Sequence, residues 1–597
     1  MIKRATPFFL AILATACGNP EPTDPAQAPS TEAVPMGDGF PEAPGASNDH
    51  RWAVVTANPH ATDAGARILA EGGSAIDAAI AVQAVLGLVE PQSSGLGGGA
   101  FLVYYDQQSG KLTTYDGREQ APMSATPAMF LKDDGTPMGF YDAVTSGKSV
   151  GIPGVVGMLG VAHAEHGVLE WHTLFEDAEN LATNGYVMGE RLHMLLGRMN
   201  RLPDNPAAKA LFYDADGTPL PADTVLKNPD YAETLQELAA GGAGVFYNGS
   251  VAEKIAAAVN ERVGPGTMIP EDFADYEPVE REPVCSPFLT YKVCSMGPPS
   301  SGGVTLLQIL GLYERAAPAN QTGTDGDVSG LSWHNYVEAS RLAYADRDLY
   351  LADPTAMGDG TISADQLVDG LLAPDYLDSR AQLIGSEAAE TVEPGDPTTV
   401  SLKEGRAMDA SASLPGTSHF SIRDSFGNIV SMTTTVETAF GSHLMAGGFI
   451  LNNQLTDFSF IPEKDGVPVV NAVAPGKRPR SSMTPIIVLN ASEEPVMAIG
   501  SPGGSAIIGY VAKTVLANLA WGVDLQGAVD MPNVVTPRGS VIVEEGASAE
   551  LISDLEAFGH GPVAVRELTS GVYGFRLDGE TIEPGVDARR DGTFKSQ

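Results

Sequence analysis

The chain has 597 residues, 43% hydrophobic and 18% charged, which is ordinary globular composition with enough apolar material for a sizeable core. Its 75 acidic residues outnumber 35 basic ones, for a formal net charge of −40. A surface of that sign repels phosphate backbones and anionic headgroups, which argues against nucleic acid and acidic lipid as partners.

Lys3 and Arg4 precede the apolar run PFFLAILATA, which ends in small residues before Cys17. This is the layout of an export signal, too short to span a bilayer. A cysteine directly after LATA also fits the lipid-attachment pattern of exported bacterial proteins, although Leu13 sits one place further from it than that pattern wants; a plain signal with an incidental cysteine is the alternative. Residues 1–17 are therefore expected to be a signal with Cys17 as a lipidation site, and the protein to be exported, periplasmic or held as a lipoprotein at the outer membrane or cell surface. Residues 18–50 are rich in Pro, Ala, Glu, Asp, Ser and Thr, cannot bury enough surface to fold, and are expected to form an acidic tether.

Folded sequence begins near Arg51. The stretch ATDAGARILAEGGSAIDAAIAVQAVLGLVEP has the Ala-rich spacing of buried helices, interrupted at Gly72-Gly73. SSGLGGG then leads into the strand AFLVYY, the reverse of the strand-to-helix order of a dinucleotide fingerprint. Next, YDGREQAP sets Arg118 among acids; a planar guanidinium suits bidentate capture of a carboxylate, and a surface ion pair is the alternative. From Gly151 to Ala410, helical stretches such as GLSWHNYVEASRLAYADRDLYLADP mix with Pro/Gly loops. Within this region Cys285 and Cys294 flank one short β-like segment, and an export route favours a disulfide between them over two buried thiols. Ten scattered histidines show no ligand spacing, and no metal or other cofactor is expected.

LPGTSHFSIRDSFGNIVSMTTTVE, Leu414 to Glu437, alternates and then fills with threonine. Threonine is β-branched and favours strands, so sheet alone accounts for it; the sharper reading makes Thr417 a nucleophile released as a new N-terminus by a cut after Gly416. Short strands dominate from there, and helices return at SAIIGYVAKTVLANLAW and SAELISDLEAFG. The whole reads as mixed α/β in one folded unit, without repeats. NNQLTDF packs polar groups amid apolar neighbours, and KRPRSSMTP sets a basic cluster beside Ser481 and Ser482. GSPGGS lies between the strand PVMAIG and a helix and lacks the Lys-Ser/Thr of a phosphate loop. Its unobstructed N–H groups at a helix N-terminus can hold a phosphate or an acyl-transfer oxyanion, unless it is simply a tight turn.

In this order and spacing, LPGTSHFSIRDSFGNIVSMTTTVETAFGS, ILNNQLTDFS, GKRPRSSMTP and GSPGGS resemble the motifs of the γ-glutamyltranspeptidases, as do EPQSSGLGGGAFLVYY, DGREQAP, GPPSSGG and RLAYADRDLYLADP upstream. The resemblance runs from about residue 51 to the end of the sequence. It implies an N-terminal-nucleophile hydrolase with a four-layer αββα sandwich, cut before Thr417 into a large subunit (51–416) and a small one (417–597) that stay associated. It implies Thr417 as nucleophile, Thr435 as its hydrogen-bonding companion, and Gly503 and Gly504 as the oxyanion site. Arg118, Ser481 and Ser482 then match the groups that hold the α-carboxylate of a γ-glutamyl donor such as glutathione, and Glu437, Gln454 and Asp457 those around its α-amine. The acceptor is water, an amino acid or a peptide.

Three features depart from the family pattern. Glu437 stands where enteric and animal members have Asn, which leaves the donor class intact and touches acceptor preference. SFIPEKDGVPVV, Ser459 to Val470, is shorter than the enteric lid and longer than in lidless members, and reads as a partial lid. Thr456 replaces a second Asp of many relatives. Glutaryl-type cephalosporin acylases resemble the family throughout but need no α-amine site, so Gln454 and Asp457 beside Arg118 weigh against them; enzymes processing poly-γ-glutamate are a further variant. A ligand-binding lipoprotein without catalysis would have no use for the Gly-Thr junction, the second threonine and the Gly-Gly pair together.

Overall fold

The computed structural model describes residues 51–597 except 263, 265, 318–327, 359, 399–401 and 412–415. The expected signal, Cys17 and the tether lie outside the described residues.

The strands of two large sheets are, in chain order, β1 (Ala53–Thr56), β2 (Gly99–Asp106), β3 (Lys111–Gly117), β4 (Val279–Arg281), β5 (Val284–Phe288) and β6 (Tyr291–Ser295). There follow β7 (Thr417–Arg423), β8 (Ile429–Thr435), β9 (Ile486–Leu489), β10 (Pro495–Gly500), β11 (Tyr573–Asp578), β12 (Thr581–Val586) and β13 (Thr593–Ser596). One sheet has the order β13-β1-β7-β8-β2-β3-β4 and the other β12-β11-β10-β9-β6-β5, every neighbouring pair antiparallel.

Helices α1 (Pro59–Ala70) and α2 (Ala75–Val89) cover the outer face of the first sheet. Asn58 caps α1 ahead of its N-terminal proline, and Ser74 with Asp77 forms a capping box that starts α2, so Gly72-Gly73 falls between two separately nucleated helices. Helices α3 (Gly302–Ala316), α4 (Gly330–Tyr350) and α5 (Ile507–Leu519) cover the second sheet, α4 through its packing on α3. The inner faces meet where β7 and β8 pack on β10 and β11. The result is the helix–sheet–sheet–helix sandwich expected of an N-terminal-nucleophile hydrolase.

The threonine-rich hairpin owes its composition to the face it presents. Register pairs Thr417 with Thr435, His419 with Thr433 and Ser421 with Ser431, and these side chains point toward the second sheet. Phe420, Ile422, Val430 and Met432 point the other way, into the core under α2. Polar groups between the sheets are satisfied locally: His419 bridges Thr433 Oγ1 (2.8 Å) and Ser421 Oγ (3.1 Å), and Ser431 Oγ donates to Ile499 O (3.2 Å). Burial pushes the His419 imidazole down to about 3, so it is neutral. A Cβ at Gly500 would lie 2.4 Å from the His419 ring, so glycine there lets the sheets close.

Cys285 and Cys294 form a disulfide. The single β-like segment expected between them is in fact a hairpin, β5 to β6, turned at Leu289 in the left-handed region (φ 55°).

Candidate active site

At one end of the β7–β8 hairpin the chain enters β7 through Gly416. A Cβ on Gly416 would lie 2.3 Å from Glu437 O and 2.5 Å from Thr438 C. The residue is therefore glycine for close backbone approach. Conformational freedom is not what it uses, since its φ lies outside the left-handed region.

Thr435 Oγ1 donates to Gly416 O (2.8 Å) and accepts from Glu437 N (2.8 Å). Thr435 has one hydroxyl proton, so in its 3.2 Å contact with Thr417 Oγ1 the Thr417 hydroxyl is the donor. The Thr417 carbonyl accepts from Arg590 Nη1 (2.9 Å), and Ser418 Oγ donates to the buried Glu90 (2.8 Å). Both ends of the Thr417 peptide are thereby fixed.

A narrow cleft opens beside these threonines. Of the residues singled out from sequence, Arg118, Thr417, Thr435, Glu437, Gln454, Asp457, Ser481, Ser482 and Gly504 all line it, with Met483 and Ile507. Gly503 does not line it. It precedes Gly504 at the entry to α5, both at positive φ (142° and 59°), and a Cβ on Gly503 would meet the Tyr510 ring at 2.5 Å. None of the residues of the expected partial lid, 459–470, lines the cleft; Phe460 stacks on Phe130 at 4.5 Å.

Charge in the cleft is paired and held from behind. Arg118, 1% exposed, donates from Nη2 to Asp457 Oδ2 and to Arg480 O (3.0 Å), and from Nε to Pro479 O (3.0 Å). Gln454 Nε2 donates to the same Asp457 oxygen (2.9 Å). Glu119, fully buried, lies 3.8 Å from Arg118 Nη1; burial, partly offset by that guanidinium, pushes its carboxyl up to about 8. Glu437 sits at φ 81°, a strained conformation for a side chain of its kind, and its carboxylate accepts from Asn453 Nδ2 (2.8 Å). Asn453 Oδ1 in turn accepts from Thr438 N and Thr438 Oγ1 (both 3.0 Å), so one amide holds the turn that follows β8.

The two serines belong to an interlock of two motifs. Ser481 O accepts from Ser301 N (2.8 Å) and Ser301 Oγ (2.6 Å), which joins GPPSSGG to RSSMTP. Ser482 Oγ accepts from Arg347 Nη2 (2.7 Å), and Arg347 Nε donates to Ser301 Oγ (2.9 Å). The glycine run is the other brace: a Cβ on Gly98 would lie 2.0 Å from Thr435 O, and one on Gly99 2.5 Å from Glu119 Oε2.

Sequence reading passed over four residues here. Glu119, Arg347 and Asn453 sit inside stretches already singled out, where polar character in an apolar context was the available signal. Arg590 carries no local signal, since 173 residues separate it from the carbonyl it binds.

A family model described as gamma-glutamyltranspeptidase matches residues 61–596. The chain is 35% identical over 558 residues to a glutathione hydrolase proenzyme of Bacillus subtilis (strain 168), covering 90% of each. Among solved structures it is similar to a cephalosporin acylase from Bacillus halodurans, with TM-score 0.78 and 25% identity over 92% of this chain and 96% of that one. It is also similar to the gamma-glutamyltranspeptidase of Helicobacter pylori, with TM-score 0.51 and 32% identity over 56% of this chain and 92% of that one.

Proposed function

The chain belongs to the gamma-glutamyltranspeptidase family, and from that premise we propose that it is a self-cleaving γ-glutamyl transferase and glutathione hydrolase with Thr417 as nucleophile. The observation that carries this reading is the pairing of Thr417 with Thr435, and of Thr435 with the Gly416 carbonyl, beside a cleft lined by one guanidinium and two carboxylates.

Self-cleavage begins with attack of Thr417 Oγ1 on the Gly416 carbonyl carbon. An ester bond forms, the Gly416–Thr417 amide bond breaks, and the hydroxyl proton ends on the departing nitrogen. Thr435, donating to that carbonyl oxygen, stabilises the charge that develops on it. Water then hydrolyses the ester, leaving a carboxylate on Gly416 and a free α-amine and hydroxyl on Thr417. That amine has a reference pKa of about 7.7–8.0, so nucleophile and base share one residue.

In turnover, Thr417 Oγ1 attacks the γ-carbonyl of the donor, the amine leaves with the proton, and water or an acceptor amine resolves the γ-glutamyl ester. Gly504, which lines the cleft just ahead of α5, supplies an N–H group for the oxyanion, and Gly503, behind it, shapes the turn that presents it. The donor α-carboxylate faces Arg118 with Ser481 and Ser482, and its ammonium faces Asp457, Gln454 and Glu437. The Bacillus subtilis relative is named a proenzyme, which accords with a cut precursor.

The test is a denaturing gel of the purified chain beside Thr417→Ala, with N-terminal sequencing of the smaller fragment and assay on γ-glutamyl-p-nitroanilide and glutathione. Two bands, the smaller beginning TSHFS and absent from the variant, together with donor hydrolysis, are expected. A soluble wild-type chain that stays whole overturns the reading. The fold shared with a cephalosporin acylase supports a second substrate class, and cleavage of a glutaryl amide in preference to the γ-glutamyl one would favour it.

A further inference from the structure

Glu437 lines the cleft from a backbone conformation, φ 81°, that residues with a side chain rarely adopt, and such a conformation persists only where its surroundings over-determine it. Asn453 does this from three sides. Its backbone N donates to Val436 O (3.2 Å), and its Oδ1 accepts from Thr438 N and Thr438 Oγ1 (both 3.0 Å). Between those two neighbours, its Nδ2 donates to the Glu437 carboxylate (2.8 Å). One residue thus fastens the charged end of Glu437 and the chain on either side of it.

The remaining bonds of Asn453 run to the other half of the amine side. Nδ2 also donates to Thr456 Oγ1 (2.9 Å), and the Asn453 carbonyl accepts from Thr456 N (3.1 Å) and Thr456 Oγ1 (2.8 Å). Thr456 belongs to the short turn Gln454–Asp457, which carries the other two groups expected to face the donor ammonium. Asn453 is fully buried, and neither it nor Val436, Thr438 or Thr456 lines the cleft. Every polar atom of Asn453 is engaged, and together they couple Glu437 to the turn bearing Gln454 and Asp457.

We propose that Asn453 is a positioning residue for recognition of the donor α-amine: it holds the Glu437 carboxylate in fixed relation to Asp457 and Gln454, so that the three converge on one ammonium. This rests on the γ-glutamyl reading above. A glutamate released from φ 81° relaxes to an ordinary backbone conformation and takes its carboxylate with it. The loss then falls on donors that bear an ammonium and spares those that lack one. A general loosening of the cleft would weaken both alike.

The experiment compares kcat/KM for γ-glutamyl-p-nitroanilide with that for glutaryl-p-nitroanilide, the same amide without the α-amine, per amount of small fragment formed. Where the glutaryl compound is not turned over, its Ki as a competitor takes the place of kcat/KM. Asn453→Asp keeps an acceptor for Thr438, and with it the turn against Gly416, but has no proton to give Glu437. The preference for the γ-glutamyl compound is expected to fall by about tenfold, mostly through KM, as for loss of one hydrogen bond to a charged group. Combined with Glu437→Gln, the introduced amide can donate to the introduced carboxylate, which restores the hydrogen bond in the opposite direction. The double variant should then exceed the product of the two single effects by about fivefold. Should Asn453→Asp fail to fold or to cut, Thr456→Val removes one acceptor of the same amide, and a fall in preference of about twofold to threefold is expected. Equal loss on both compounds, an unchanged preference, or single effects that simply multiply overturns the proposal. A wild-type chain that stays whole, or that takes the glutaryl compound in preference, overturns the γ-glutamyl reading itself, and is told apart because no variant is needed to see it.

Discussion

Thr435 gives its one proton to the Gly416 carbonyl oxygen, 2.8 Å away, and receives the Thr417 hydroxyl at 3.2 Å. The same side chain thus touches the oxygen that attacks in the proposed cleavage and the oxygen of the carbonyl it attacks. Thr435→Val keeps the β-branched shape and removes both contacts. Loss of one donor to a developing oxyanion costs roughly 10²–10³ in rate, so the intact band should persist about that much longer, and Thr435→Ser should restore most of the rate. Unchanged cleavage in the valine variant would show that the hydroxyl contributes nothing.

Gly416 touches the backbone of Glu437 and Thr438 with no room for a side chain. In Gly416→Ala the methyl group must displace that turn at a cost of about 1–3 kcal/mol, and the carbonyl moves with it. The variant is expected to remain largely whole on a gel and to melt below Thr417→Ala. A variant that cuts at the normal rate would mean the turn yields without disturbing the reaction.

Arg118 holds its place through three directed hydrogen bonds that a lysine ammonium cannot reproduce in one geometry. Hydrogen bonds to charged groups are worth about 1.5–3 kcal/mol each, so Arg118→Lys should raise the donor KM by roughly 10–100-fold. Steady-state kinetics on the cleaved enzyme decide it, and an unaltered KM would place the donor carboxylate elsewhere.

Glu119 links stability to pH. Its carboxyl is raised to about 8 from an ordinary 4.5, chiefly by burial, so between those values the folded chain holds a proton that the unfolded chain has released. The associated stability is complete below the lower value and lost as pH rises through the upper one. Glu119→Gln mimics the neutral form at every pH. Melting temperatures of variant and wild type should therefore be closest near about pH 4.5, and the variant should gain on wild type up to about pH 9. A gap that stays constant would mean Glu119 titrates as it does in the unfolded chain.

The Cys285–Cys294 bridge closes a short loop on an edge strand of the second sheet, away from the cleft. Loop-closure entropy assigns such a bridge about 3 kcal/mol. Cys285→Ser with Cys294→Ser should lower stability toward denaturant by about that amount while leaving kcat unchanged. A parallel fall in kcat would reveal coupling between that edge and the site.

The cleft was legible because its residues cluster in five short polar stretches whose chemistry is complementary. The strands around Thr417 and Thr435 announced themselves by alternation, and the buried helices α1 and α2 by alanine spacing. The four-layer arrangement came through resemblance, since the same alternation serves any two-faced sheet. What sequence did not reveal were relations between distant segments. Examples are Arg590 on the Thr417 carbonyl, Arg347 on Ser482, and the contact that makes Gly416 a matter of clearance and not of flexibility. The hairpin around Leu289 was missed because a leucine in the left-handed region gives no turn signal.

The Arg118–Asp457 pair gives the resting cleft a second meaning. Each of these two charges has its counter-charge within the chain. A zwitterionic α-carbon can enter by exchange, its carboxylate taking the arginine and its ammonium the aspartate, and both internal partners leave the transaction matched. A ligand bearing only one of those charges must part the couple and satisfy half of it, leaving the other half uncompensated in a dry environment. If the donor binds as proposed, discrimination against lone acids and lone amines is set by this ion pair before any contact with the reacting bond is made.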